Sequence, residues 1–136
     1  MAGVATALAD RHRVVRVDLL GHGRSDAPRE SAAYAMERCT EQLAGVLDAL
    51  AIPQAHLLGY SMGGRLALYF AVTHPGRVAS LVLESASPGL AGRRERQERR
   101  MQDDQRAAEI RSAGLDPFIE RWYQQPLFQS LQKNPE

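Results

Sequence analysis

The chain has 136 residues, of which 44% are hydrophobic and 24% charged, a balance typical of globular proteins that excludes a wholly disordered chain. Lys and Arg number 17 against 16 Asp and Glu, a net charge of +1, so a polyanionic partner is not indicated and nucleic-acid binding is not expected. The single cysteine, Cys39, excludes an internal disulfide and a cysteine-based zinc cluster.

In chain order, residues 1–9 are apolar but short, lack a basic leader and run into Asp10-Arg11-His12-Arg13. No secretory signal is expected, and the cytoplasm is the default location. No apolar run approaches the roughly 18 residues of a membrane-spanning helix, so no membrane partner is expected. Residues 2–10, rich in alanine, read as the end of a helix. Val14-Val15-Arg16-Val17-Asp18-Leu19 is a β-branched run that predicts a buried strand. Gly21 to Pro28 is a loop by its glycine and proline punctuation. Met36, Cys39, Leu43, Val46, Leu47 and Leu50 recur at spacings that put them on one face of a helix over 34–50. Pro53 interrupts it, and Ala55 to Gly59 predicts a second strand. A helix over 62–74 is stopped by His74-Pro75-Gly76, and Val78 to Glu84 predicts a third strand. Strands alternating with helices mean βαβ crossovers and a parallel sheet, the α/β class. After Pro88-Gly89 the texture changes. Residues 93–112 are dense in charge, and 115–128 bring in Phe118, Ile119, Trp122, Tyr123, Leu127 and Phe128, which reads as a helical layer over the sheet.

Gly59-Tyr60-Ser61-Met62-Gly63 fits G-x-S-x-G at a strand-to-helix corner. Such a corner lifts the serine hydroxyl clear of the sheet, and glycines two before and two after are expected to keep Cβ atoms out of the turn. The N–H of Met62, first in the helix, is free to donate to a developing oxyanion. A serine also needs a histidine, and the histidine an acid, in the chain order serine, acid, histidine. After Ser61 the only histidine is His74, on the same helix. His12 and His56 flank strands on the amino side, and His22 lies in a loop that could border the site; all four histidines read as structural or solvated rather than catalytic. Asp103, Asp104 and Asp116 fall in the helical layer. The expectation is that this chain lacks the acid and the base.

Asp18-Leu19-Leu20-Gly21-His22-Gly23-Arg24-Ser25-Asp26 together with Gly59 to Arg65 resembles the α/β-hydrolase superfamily. More narrowly, Arg65, Glu84-Ser85-Ala86-Ser87-Pro88-Gly89-Leu90 and Trp122-Tyr123-Gln124-Gln125-Pro126-Leu127-Phe128 resemble the 2-succinyl-6-hydroxy-2,4-cyclohexadiene-1-carboxylate synthases of menaquinone biosynthesis. The resemblance implies a partial α/β-hydrolase core over 1–89 and a partial helical cap over 90–136. It implies a lyase that eliminates pyruvate from a polycarboxylate cyclohexene, without a cofactor. Ser61 becomes the triad serine and Met62 N–H an oxyanion donor. Arg65 and Arg99 become carboxylate ligands, and Tyr60 and Trp122 line the pocket. Arg65 lies one helical turn beyond Ser61, and a guanidinium clamps a carboxylate bidentately. Arg99 stands in the mixed-charge run 93–100, which is also the composition of a solvated helix face. Trp122 and Tyr123 at this spacing are more often core than ligand contacts.

The family pattern places an oxyanion loop before the first helix, and its acid and histidine after the cap. The chain therefore reads as an internal fragment, inactive by itself. The family's sheet also inserts a strand between those at 14–18 and 55–59, so these two either pair directly or expose unpaired edges. The competing readings are an esterase or carbon–carbon bond hydrolase on the same fold, and a non-catalytic remnant that binds anions or a partner chain.

Overall fold

A computed structural model describes residues 2–128. They divide between Pro88 and Gly89 into two compact units.

The first unit carries α1 (Ala2–Ala9), α2 (Met36–Ala49), β1 (Ala55–Tyr60), α3 (Met62–Thr73) and β2 (Val78–Glu84). The strands pair in parallel, with Leu58 opposite Val82 and Tyr60 opposite Glu84, as a crossover through α3 demands. The strand expected over residues 14–19 is absent: these residues join no ladder, and β1 pairs only with β2. Val14, Val15 and Val17 are each about two-fifths exposed. The physical reason is that a strand exists by its neighbour's hydrogen bonds, and no described strand lies between this segment and β1. Of the two alternatives, unpaired edges prevail.

α3 covers one face of the sheet and packs on α2. Leu66, Ala67 and Phe70 of α3 and Leu47 of α2 are buried, Phe70 completely. Thr40 is buried beside them and satisfies its hydroxyl by donating to the Glu37 carbonyl at 2.7 Å. The opposite face stays open, with Leu58 42% and Val82 55% exposed. The α2–β1 connection is pinned from the far side of α3. Arg77 donates to the carbonyls of Pro53 at 2.8 Å and Ile52 at 3.0 Å and pairs with Asp48 at 2.8 Å. The loop after residue 18 is knitted internally: Ser25 Oγ donates to the Asp18 carbonyl at 2.7 Å, and Arg24 N–H donates to the Asp18 carboxylate at 3.1 Å. Gly23 has φ 53°, and a Cβ there would collide with that carboxylate.

The second unit is a helical hairpin, α4 (Arg93–Ala113) and α5 (Leu115–Tyr123), turning at Gly114, whose φ is 86°. Glu95 caps α4 by accepting from Gly92 N–H at 3.1 Å. Among the described residues, no helix is long and apolar enough to cross a membrane.

Candidate active site

Ser61 stands at the corner between β1 and α3 with φ 50° and ψ −114°, a conformation that costs energy for any residue with a Cβ. Two hydrogen bonds hold it there. Its N–H donates to the Glu84 carbonyl at 2.9 Å, and its own carbonyl accepts from Arg65 N–H at 3.1 Å, closing the first turn of α3. The strand and helix meet through glycines. A Cβ on Gly59 would lie 2.5 Å from Gly64 Cα, and one on Gly64 would lie 2.5 Å from Ala86 Cβ. This corrects the sequence expectation in one respect. Gly59 is required, but a Cβ on Gly63 would meet nothing within 4 Å, and its neighbour Gly64 makes the close approach.

The Ser61 side chain is exposed, as is Met62. Met62 N–H, at the helix start, has no backbone acceptor among the described residues, which leaves it free to meet a negative charge, aided by the helix dipole. Arg65 is exposed, and among the described residues its guanidinium has no ion pair or hydrogen bond. Tyr60, 52% exposed, belongs to the open face of β1. The first unit thus brings together Tyr60, Ser61, Met62 and Arg65 at the carboxyl end of the sheet.

Arg99 and Trp122 belong to the hairpin. Arg99 Nε donates to both carboxylate oxygens of Asp103, at 3.0 and 2.8 Å, while Arg106 pairs with the same carboxylate at 2.9 Å. Asp103 is held below its ordinary pKa of 3.8, mainly by the Arg99 hydrogen bond, opposed by partial burial and reinforced by the charges of Arg99 and Arg106. Trp122 stacks on Phe118 at 5.5 Å, lies 6.0 Å from Phe128 and takes the Arg106 guanidinium over its ring at 5.6 Å.

None of the four histidines reaches Ser61. His74 stacks on Phe70 at 4.6 Å, and its ring shares a hydrogen bond with Thr73 at 2.8 Å. His56 bonds Ser80 at 2.7 Å and meets the His12 ring at 6.3 Å, and His22 lies against the Leu20 carbonyl. Among the described residues the Ser61 hydroxyl has no hydrogen-bonded base. An open cleft of ≈ 320 Å³ between the 17–26 loop and α2, lined by Asp18, Arg24, Ser25, Cys39, Gln42 and Leu43 among others, includes none of the site residues. Sequence reasoning overlooked Gly64 and Ala86 as the packing that fixes the corner. The Gly63-Gly64 doublet was the available signal, since two adjacent glycines at a helix start are costly without a contact to explain them.

A model of the alpha/beta hydrolase fold family matches residues 2–134. The chain is 46% identical over 124 residues to a protein of Bacillus subtilis (strain 168) named putative 2-succinyl-6-hydroxy-2,4-cyclohexadiene-1-carboxylate synthase, covering 91% of this chain and 45% of that protein. The structure of MenH from S. aureus superposes with a TM-score of 0.78 at 38% identity, over 88% of this chain and 44% of that one. A meta-cleavage product hydrolase from Pseudomonas fluorescens IP01 superposes with a TM-score of 0.57 at 34% identity, over 60% of this chain and 30% of that one. The chain thus spans less than half the length of each of these relatives.

Proposed function

The chain belongs to the alpha/beta hydrolase fold family, and from that premise we propose that it supplies the serine, an oxyanion donor and a carboxylate clamp to a lyase of menaquinone biosynthesis. The reaction is the elimination of pyruvate from 2-succinyl-5-enolpyruvyl-6-hydroxy-3-cyclohexene-1-carboxylate. A base removes a ring proton, the carbon–oxygen bond to the enolpyruvyl group breaks as the ring gains a double bond, and the enolate that leaves takes up a proton on carbon to become pyruvate. No acyl-enzyme forms. Ser61 and its triad partners serve the proton transfer, Met62 N–H steadies the enolate oxygen, and Arg65 and Tyr60 of the first unit hold the substrate. The cytoplasm is the place we assign to it.

The observation that carries this reading is the Arg65 guanidinium, without an ion pair or hydrogen bond among the described residues, one helical turn beyond an exposed, strained Ser61. A neutral ester needs no such cation, whereas a polycarboxylate does. The test is pyruvate release. The chain alone is expected to turn over at least about 10³-fold more slowly than a full-length relative, because among the described residues its serine has no hydrogen-bonded base. A comparable rate, abolished by Ser61→Ala, would refute that. In a chimera joined to the flanking parts of the Bacillus subtilis relative, Arg65→Ala should lower kcat/KM by about 10²–10³ and leave the melting temperature unchanged; unchanged kinetics remove Arg65 from the site.

The likeness to a meta-cleavage product hydrolase supports a second reading, hydrolysis of a carbon–carbon bond or an ester. Screening the chimera against such substrates beside the polyanionic cyclohexene separates the two. Binding of a dicarboxylate by the chain without turnover by the chimera would favour a purely anion-binding role.

A further inference from the structure

We propose that Ser85 is a positioning residue for Ser61. The inference rests on reading Ser61 as the reacting serine and adds a second half to its corner. β1 and β2 end side by side, with Tyr60 opposite Glu84. The residue after each is a serine in the left-handed region, Ser61 at φ 50° and Ser85 at φ 51°. A serine at such a φ persists only where its surroundings hold it. Here the two outliers stand at the same level of neighbouring strands and are joined, because Ser61 N–H donates to the Glu84 carbonyl at 2.9 Å.

The Glu84–Ser85 peptide is planar, so its carbonyl oxygen and the Ser85 nitrogen turn together. The φ of Ser85 therefore sets how that oxygen is aimed relative to the chain that follows. The following chain is itself anchored: Ala86 packs so closely on Gly64 that an added Cβ there would approach it to 2.5 Å. The turn after β2 thus holds the corner twice, at Ser61 N–H and at the first turn of α3. Should the Glu84 carbonyl swing away, the fixed relation between the Ser61 hydroxyl and Met62 N–H would relax.

Residue-resolved amide hydrogen exchange on the chain tests this with three variants. Glycine accepts the left-handed conformation, so Ser85→Gly should keep Ser61 N–H exchange within about twofold of wild type. Valine rejects it, so Ser85→Val should accelerate that exchange about tenfold or more while the Ala67 and Phe70 amides keep their rates. If the valine variant does not fold, Ser85→Ala should show the same local pattern at smaller amplitude. Unchanged Ser61 exchange in the valine and alanine variants, or acceleration of Ser61 and Phe70 together, overturns the proposal. The pyruvate assay judges the reacting-serine reading separately, so the two can fail independently.

Discussion

At the scale of single residues, the corner at Ser61 depends on which glycine is replaced. Gly64→Ala must push Ala86 or the Gly59 backbone aside, and overpacking of this kind costs about 1–3 kcal/mol. Gly63→Ala meets open space on the same helix and should gain up to about 1 kcal/mol. Urea denaturation of the two variants checks the contrast; equal effects would show that the two backbones do not touch. The G-x-S-x-G pattern led to Ser61 and Met62, because a glycine-flanked serine between a strand and a helix is a local signal. It did not separate Gly63 from Gly64, since that difference lies in a contact with Ala86, 22 positions further along the chain. Spacing put Arg65 one helical turn beyond Ser61, but its role as a carboxylate ligand came from the family resemblance. The Asp103 partner of Arg99 was not singled out, although it stands one helical turn away.

At the scale of elements, β1, α3 and β2 followed from sequence because each has its own periodicity and its own stop. Residues 14–19 carry the same β-branched signal yet form no strand, because strand formation is decided by a neighbour that composition does not contain. Charge density located α4 correctly, and in the hairpin that charge is organised. Arg99, Asp103 and Arg106 form one cluster on successive turns. Since the folded pKa of Asp103 lies below its ordinary 3.8, the cluster stabilises the hairpin fully above the unfolded value. That contribution is lost as pH falls through the lowered folded value. Helical circular dichroism should therefore decline as pH drops below the unfolded value and through the lowered folded one, and Asp103→Asn should flatten this part of the profile. The group is half exposed, so the amplitude should be small and shrink with added salt. A profile identical in the Asn variant would remove Asp103 as the cause.

At the scale of the whole molecule, the first unit has few buried apolar side chains, Leu47, Leu66, Ala67 and Phe70, while Leu58 and Val82 face outward from a two-stranded sheet. An uncovered apolar face beside an unpaired parallel strand favours association between copies. Sedimentation velocity should show concentration-dependent association of the chain, and Leu58→Lys with Val82→Lys should suppress it. A monomer at all concentrations, unfolding in one sharp urea transition, would contradict this. One further consequence follows from α3. Its first turn presents Met62 N–H and Arg65, and its third carries Phe70, roughly 12 Å along the axis by helical rise. On the proposed function, a small dianion gripped at the near end would stay bound only while the far end stays seated. Melting temperature is then a direct gauge of occupancy, and candidate ligands can be ranked by heating the protein, before any catalysis is measured.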